Sequence, residues 1–260
     1  MSLLPHRLFL LVPPWLLDPD ARDFINRVEA ADGDALENGV KIAYSNFIRG
    51  CKADGIWNAI KASCILAGAR TLSGALVPLV GTAPTNLNFV SGDYNRRTGL
   101  VGNGSTKYLD SNRNSNADPQ NSRHIALYSS TQATTPQYYI GAGQTQAGSS
   151  LISRSDGTQS LVRLASNSTT TGSALTNGLN AISRINSSTI SVRNNGNTIN
   201  YANTSATPLS LNLFIFGSND SGLNSPTSAR FAFYSIGEFL DLALLDARVT
   251  DLINAIAGAI

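Results

Sequence analysis

The stretch 189–201, TISVRNNGNTINY, decides the fold of this chain. Apolar and polar residues alternate on both sides of Asn194-Asn195-Gly196, and a period of two is typical of a half-buried β-strand. Asn and Gly reach the positive-φ conformations that a tight hairpin needs. The stretch therefore predicts two antiparallel strands joined by a short turn.

The same alternation extends over most of the chain from residue 84 onward, in short runs separated by clusters of Gly, Asn, Ser and Thr. The predicted strands are 87–91, 107–111, 124–129, 138–142, 160–165, 181–186, 189–193, 198–201, 211–217 and 229–235. Many short strands with frequent turn signals are typical of an antiparallel sandwich or barrel, not of a parallel α/β sheet. The polar tracts 112–120, 144–150 and 166–173 are predicted to be exposed loops.

Residues before position 70 show helical spacing instead. Asp18 followed by Pro19 is a helix start, and Asp34 with Glu37 three residues later resembles a capping box. A third start at Asp54-Gly55 predicts another short helix that ends near residue 68. Its apolar face would hold Trp57, Ile60, Cys64 and Ile65.

Helical spacing returns after residue 241 and predicts a C-terminal helix. Its apolar stripe consists of Leu242, Leu245, Val249, Leu252 and Ile256. The chain is therefore divided into residues 1–82, an N-terminal arm and helical attachment segment, and residues 83–260, a β-sandwich with a C-terminal helix.

The first 17 residues contain a short apolar run that stops at two prolines. The run is too short to span a membrane, and no small-residue cleavage site follows it, so neither membrane insertion nor a signal peptide is expected. Two readings stay open: an attachment arm that docks on another surface, or a segment that packs on its own chain. The arm residues are Leu8, Phe9, Leu10 and Trp15.

Composition limits the function. Charged residues make up 14% of the chain and the net charge is +2, which does not favour nucleic-acid binding. Cys51 and Cys64 are expected to be buried free thiols, with a disulfide as the alternative. No cofactor is expected.

Catalytic constellations are missing from the sequence. His124 opens a predicted strand, and no nucleophile elbow accompanies it. Glycoside hydrolysis would need two carboxylates about 5–9.5 Å apart. The nearest acidic neighbours in the sandwich, Glu238 and Asp241, are better explained by the start of the C-terminal helix. The chain is predicted not to be an enzyme.

Two kinds of ligand remain as candidates. Calcium prefers oxygen ligands, and four aspartates lie in or near loops rich in Asn and Ser, namely Asp93, Asp110, Asp118 and Asp220. Glycans are typically bound by side-chain and backbone groups that hydrogen-bond the sugar hydroxyls next to an aromatic ring. The predicted glycan-facing residues are Tyr94, Tyr138 and Tyr139.

An ordered set of segments resembles the laminin-G-like, concanavalin-A-like jelly roll. The segments are 99–112 (GLVGNGSTKYLDSN), 124–131 (HIALYSST), 191–201, 214–218 (FIFGS), 231–236 (FAFYSI) and 242–253. The resemblance implies a mainly β chain, an antiparallel β-sandwich of the jelly-roll type with a small helical N-terminal segment and a C-terminal helix.

The stretches 16–33 (LLDPDARDFINRVEAADG) and 50–109 are similar to structural proteins of tailed bacteriophages that carry a lectin-like domain. This resemblance implies a virion protein, either a tail-fibre or receptor-binding component that binds a host surface glycan, or a capsid decoration protein without a ligand. The expected partners are other virion proteins and further copies of the chain, with a trimer as one form.

Overall fold

The computed structural model describes residues 18–260, and the predicted arm residues Leu8, Phe9, Leu10 and Trp15 lie outside this range. Within residues 18–260 the chain forms four helices: α1 (Pro19–Asp32), α2 (Asn38–Ala53), the single turn α3 (Leu72–Ala75) and α4 (Leu242–Ala259). None of these helices is long and apolar enough to cross a membrane.

The starts of α1 and α4 follow the predicted capping chemistry. The Asp18 carboxylate accepts a hydrogen bond from the amide of Asp20 at 2.9 Å, and Asp241 caps α4 through the amides of Ala243 and Leu244. The prediction for α2 is wrong, because this helix begins at Asn38 and not after Asp34.

Glu37 precedes α2 without capping it, because its carboxylate is paired with another group. It accepts hydrogen bonds from Nη1 and Nη2 of Arg96, at 3.1 and 2.6 Å. This Arg96 pair lowers the pKa of Glu37. A side chain held in this way is not available to satisfy the first amides of the helix.

The described strands form two antiparallel sheets. Sheet A has the order β13-β12-β11-β6-β17-β4-β3, and β1 also pairs with β17. Its strands are β1 (Ile60–Ile65), β3 (Tyr94–Asn95), β4 (Gly99–Val101), β6 (Arg123–Thr131), β11 (Gly178–Arg184), β12 (Thr189–Asn194), β13 (Asn197–Ala202) and β17 (Arg230–Gly237).

Sheet B has the order β10-β9-β8-β7-β14-β5-β2, and the short hairpin β15–β16 is attached to β7. Its strands are β2 (Thr85–Leu87), β5 (Tyr108–Asn114), β7 (Gln137–Ala142), β8 (Ser149–Arg154), β9 (Gln159–Ser166), β10 (Thr170–Ser173), β14 (Asn212–Ile215), β15 (Gly217–Asn219) and β16 (Leu223–Asn224). The predicted mainly β sandwich with helices at both ends of the described chain is confirmed.

The predicted third helix is wrong, because residues 60–65 form strand β1. This strand pairs antiparallel with β17, from Ile60 opposite Gly237 to Ile65 opposite Phe233. The sequence of β1, IKASCI, fits both periods: Lys61 and Ser63 alternate with apolar residues, but Ile60, Cys64 and Ile65 also fall at helical spacing. Over so few residues the pattern does not separate a strand from a helix.

Sheet A is covered on both faces. Its inner face packs against sheet B through a core in which the rings of Phe216 and Phe231 are in tilted contact, with centroids 4.6 Å apart. Its outer face packs against α1, α2 and α4, where Phe47 of α2 meets Phe233 of β17 edge-on at 5.7 Å. The division of the chain into domains 1–82 and 83–260 stays a prediction. Residues from both ranges contribute to these two cores, since β1, α1 and α2 lie before residue 82.

All three polar tracts that were predicted to be exposed loops also contain strand. Strand β5 extends to Asn114, β8 begins at Ser149, and β10 begins at Thr170. Ser149 and Ser150 are buried because their hydroxyls are paired: Ser149 donates to the carbonyl of Gln146, and Ser150 accepts from the amide of Ala165. Small hydroxyl side chains therefore occupy buried strand positions here.

Arg184 of β11 is fully buried and ties chain segments together at one end of the sandwich. Its five hydrogen bonds go to the carbonyls of Leu164, Asn186 and Asn203, the hydroxyl of Ser166 and the side-chain oxygen of Asn203. All donors of the guanidinium are thus used by uncharged acceptors. The arginine serves the fold and is not open to a ligand.

Both cysteines are free and buried, as predicted. Burial raises the pKa of each thiol to about 12. At neutral pH they are therefore protonated thiols that pack in the core.

Candidate functional site

The hairpin of β12 and β13 turns as the sequence predicts. Asn194 is opposite Asn197, so Asn195 and Gly196 form a two-residue turn. The φ angles of these two residues are 50° and 71°. Two successive positive φ angles identify a type I′ turn, which matches the natural twist of paired strands.

One face of this hairpin extends beyond the cover of sheet B. Ile190, Val192 and Asn194 of β12 lie on this face, and their partners on β13 are Tyr201, Ile199 and Asn197. Ile190 and Val192 are buried in the core between the sheets, but Ile199 keeps 47% of its surface exposed. Because β13 is the last strand of sheet A, its apolar side chains lie at the open side of the sandwich.

These side chains line an open groove of about 310 Å³, which we call the edge groove. Its lining residues are Ser173, Val192, Asn194, Asn195, Asn197, Ile199 and Tyr201. The volume is at the lower end of the range for small-molecule sites. An aliphatic and an aromatic side chain next to several amides and one hydroxyl can contact the nonpolar face of a sugar and hydrogen-bond its hydroxyls.

Asn194 fixes the wall of the edge groove. Its side-chain oxygen accepts from the hydroxyl of Thr176 at 2.8 Å, and its amide nitrogen donates to Ser173 and to the carbonyl of Ala174. The hairpin is thereby attached to the segment after β10. The groove is held in shape by the fold, as a preformed binding site requires.

The structure separates the three predicted glycan-facing tyrosines. Tyr139 is fully buried, and its hydroxyl donates to Gln132 and accepts from the amide of Ala133. The prediction for Tyr139 is wrong because the ring belongs to the core between the sheets, 5.2 Å from that of Phe231.

Tyr94 is also unsuited to bind a glycan. Its ring packs against both cores, and its hydroxyl donates to the carbonyl of Ala69 at 2.8 Å. Burial raises the pKa of its phenol. The side chain therefore joins the β3 region to the segment after β1.

Tyr138 lies in a smaller groove of about 160 Å³ on sheet B. This groove is lined by Pro136, Gln137, Tyr138, Ser153, Arg154, Ser155, Leu161 and Ser225. The phenol is half-buried and lies 3.5 Å from the side-chain oxygen of Gln144. Of the three predicted tyrosines only Tyr138 lines an open groove, and no second tyrosine lines it.

The four candidate calcium ligands are not brought together. Each already accepts hydrogen bonds: Asp93 from Lys107, Asp110 from Asn212, Asp118 from Arg113 and Asp220 from Gln144. Within residues 18–260 no group of three or more His, Cys, Asp or Glu residues could hold a metal ion.

The residues tested for catalysis are engaged in the fold. Glu238 forms an ion pair with Lys61 at 2.9 Å, and Asp241 caps α4. His124 is buried between the carbonyl of Glu238 and the hydroxyl of Ser235. The carboxylates of Glu238 and Asp241 therefore have structural partners instead of facing each other across a cleft.

A larger groove of about 660 Å³ lies between α2 and α4 in the helical layer. Its floor includes Phe47 and Leu252, and its rim is charged, with Arg49, Lys52 and Arg248 opposite Asp18 and Asp251. Arg248 is held by two hydrogen bonds to Asp54, which connect the two helices. The groove belongs to the part of the molecule that was predicted to attach the chain.

The sequence predicts the hairpin of β12 and β13 but not the edge groove that this hairpin lines. Ile199 and Tyr201 alternate on an uncharged strand, which is typical of any half-buried strand. Their exposure depends on where sheet B ends. The sequence contains one signal for the edge groove: Ile199 and Tyr201 lie on an uncharged strand next to an Asn-rich turn.

No protein-family model matches the sequence, and no curated protein matches it either. Among solved structures, the binding domain of botulinum neurotoxin serotype D is similar with a TM-score of 0.50 and 11% identity, over 75% of this chain and 51% of that chain. A Trypanosoma rangeli sialidase mutant displaying trans-sialidase activity gives a TM-score of 0.49 and 10% identity, over 80% of this chain and 39% of that chain.

The chain spans about half the length of the toxin domain and less of the sialidase. At such low identity the likeness to the toxin domain shows a shared β-sandwich fold and leaves ligand and activity open.

Proposed function

We propose that this chain is a non-catalytic glycan-binding module of a bacteriophage virion, a tail-fibre or receptor-binding component that binds a host surface glycan in the edge groove. The observation that carries the proposal is the exposed Ile199 and the partly exposed Tyr201 beside the amides of Asn195 and Asn197. The virion assignment rests on the resemblance of the stretches 16–33 and 50–109 to structural proteins of tailed bacteriophages.

The groove offers the two kinds of contact that a neutral sugar needs. Tyr201 and Ile199 present carbon surface, on which the nonpolar face of a pyranose ring can pack. Asn197 and Asn195 are exposed at one end and can donate and accept hydrogen bonds. No charged side chain lines the groove, so a neutral glycan fits its chemistry best.

The helical layer supports an attachment role at the other face of the sandwich. Helices α1, α2 and α4 cover the outer face of sheet A, and the 660 Å³ groove between α2 and α4 is open to a neighbouring protein. A module attached there would keep sheet B and the edge groove free. Other virion proteins are the proposed partners at this face.

Glycan arrays and calorimetric titration with the full chain test the proposal. Tyr201→Ala removes the aromatic surface, and we expect it to weaken binding at least about tenfold. Val90→Ala, which truncates an apolar side chain that is 60% exposed outside the groove, serves as the matched control and should bind as the wild type does. Thermal unfolding of each variant verifies the fold.

A third variant, Tyr138→Ala, decides between the two grooves. Loss of binding in this variant together with normal binding in Tyr201→Ala would move the site to sheet B and overturn the edge groove. A wild-type chain that binds no glycan of the host surface would refute the receptor-binding role and favour the decoration protein, which has no ligand. Copy number in purified particles separates the same two functions.

A further inference from the structure

Among residues 18–260, no further strand pairs with the outer edge of β13. Strand β13 is six residues long, whereas the other terminal strands are shorter: two residues in β3, three in β2 and four in β10. Its sequence NTINYA contains no Lys, no Pro and no other charged residue, and its pairing with β12 is regular over all six positions. Soluble proteins usually block such an edge with charge, proline or a bulge.

The type I′ turn determines which backbone groups of β13 face outward. In a two-residue hairpin the residues that flank the turn, here Asn194 and Asn197, form a hydrogen-bonded pair. Such pairs recur at every second position, so residues 197, 199 and 201 bond to β12. The N–H and C=O groups of Thr198, Asn200 and Ala202 therefore point away from the sheet.

We propose that a second copy of this chain pairs with β13, antiparallel, about a two-fold axis at Asn200. In this register Asn200 is opposite Asn200 of the partner subunit, and Thr198 is opposite Ala202 of the partner subunit. All three outward-facing residues then exchange backbone hydrogen bonds in both directions, and sheet A continues from one subunit into the next. A C2 interface of this kind requires only one self-complementary strand.

The same register provides a partner for the exposed side chains. Ile199 comes to lie opposite Tyr201 of the partner subunit at a non-hydrogen-bonded position, where side chains approach most closely. The side of Ile199 that faces the strand edge thereby contacts an aromatic ring, twice per dimer, while the surface of Ile199 that lines the edge groove stays open.

Charge also favours a second copy as the occupant. A two-fold axis places every residue near its own counterpart, so a charged residue on the strand would face a like charge. Strand β13 has none, and the nearest cation, Arg193 of β12, is neutralised by Asp246 at 2.7 Å. The pairing therefore brings no unbalanced charge to the axis.

The dimer would deepen the proposed function without depending on it. The edge grooves of the two subunits become one continuous trough across the axis, in which Ile199 of one subunit is next to Tyr201 of the partner subunit. A branched or repeating glycan could then contact both halves and gain avidity. The oligomeric state is measured without glycan, so either proposal can fail while the other stands.

Sedimentation of the full chain over a wide range of concentrations tests the interface. The wild type should show a concentration-dependent species of twice the 27.5 kDa chain mass. Asn200→Pro removes the outward N–H at the axis, which an edge strand tolerates, and should weaken the dimer at least about tenfold. Asn200→Ala loses the same hydrogen bond from Ser191 but keeps the N–H, so it should dimerise like the wild type.

Cysteine cross-linking tests the register independently of these variants. Asn200→Cys places two thiols opposite each other at the axis and should oxidise to a covalent dimer that thiols reverse. Thr198→Cys separates the two thiols by about 13 Å along the strand and should give no cross-link. A monomeric or trimeric wild type, equal dimerisation of Asn200→Pro, or cross-linking of Thr198→Cys in place of Asn200→Cys would each overturn the proposal.

Discussion

Lowering the pH should destabilise this protein through His124. The imidazole is 1% exposed on β6, with Nδ1 2.6 Å from the carbonyl oxygen of Glu238 and Nε2 2.7 Å from the hydroxyl of Ser235. Because a carbonyl oxygen only accepts, Nδ1 carries the proton and Nε2 accepts from Ser235. Protonation of Nε2 would lose this acceptor and place a charge in the core.

The size of the effect follows from the pKa of His124 in the two states. Burial lowers it from 6.5 to about 4, with a smaller lowering by Arg113, while the Glu238 carbonyl and Asp118 act in the opposite direction. Above pH 6.5 both states are neutral and the stability is complete. As the pH falls towards 4 the unfolded chain takes up a proton and the native state does not, which costs about 1.4 kcal/mol per unit and about 3 kcal/mol in all.

Urea unfolding followed by circular dichroism between pH 7.5 and 4 measures this loss. His124→Gln cannot titrate, so the difference between the pH slopes of the two proteins isolates the histidine from the carboxylates. We expect the wild-type unfolding free energy to fall more steeply, by about 3 kcal/mol over the whole range. Parallel slopes would refute the reasoning and mean that His124 can be protonated in the native fold.

Three further changes test other parts of the fold by the same unfolding assay. Gly196→Ala puts a Cβ where no atom lies within 4 Å but φ is +71°, so backbone strain alone should cost about 1 kcal/mol, and an unchanged midpoint would argue against the type I′ turn. Arg184→Met removes five hydrogen bonds, four of them to acceptors on the buried residues Leu164, Ser166 and Asn203, and should cost about 3–5 kcal/mol, whereas Arg97→Met, at an exposed arginine, should stay within about 0.5 kcal/mol. Phe233→Ala removes a fully buried ring between sheet A and α2 and should cost about 3–5 kcal/mol, and a loss below 1 kcal/mol would mean that the helical layer packs loosely.

Most of the sandwich could be predicted because its strands have one buried and one polar face. The hairpin of β12 and β13 is the clearest case, since its turn chemistry and its alternation agree. The prediction failed where the pattern fits two structures. Strand β1 is short, and Ile60, Cys64 and Ile65 fall at helical spacing as well as on a strand, so its sequence fits a helix equally well. Strand β8 starts with two serines, whose burial depends on hydrogen bonds that the local sequence pattern does not show.

The candidate site could be predicted less well, for geometric reasons. Tyr138 and Tyr139 were both predicted to face a glycan, yet adjacent residues of a strand point to opposite faces, so at most one of them could do so. The exposure of Ile199 and Tyr201 follows from the end of sheet B at β10, seen only once both sheets are assembled. Local pattern shows which side chains share a face, and the width of the opposite sheet decides whether water reaches that face.

Sheet A is covered by sheet B on one face and by helices on the other, and this arrangement affects how the protein is synthesised. Strand β17 is an interior strand of this sheet that pairs with β1, β4 and β6, and it is followed by α4, which packs against α2 from the other end of the described chain. On the ribosome α2 emerges long before α4, because more than 180 residues separate the end of α2 from the start of α4. The nascent chain therefore exposes an apolar surface through most of its synthesis. Binding of a chaperone at an early stage would determine the yield of native protein.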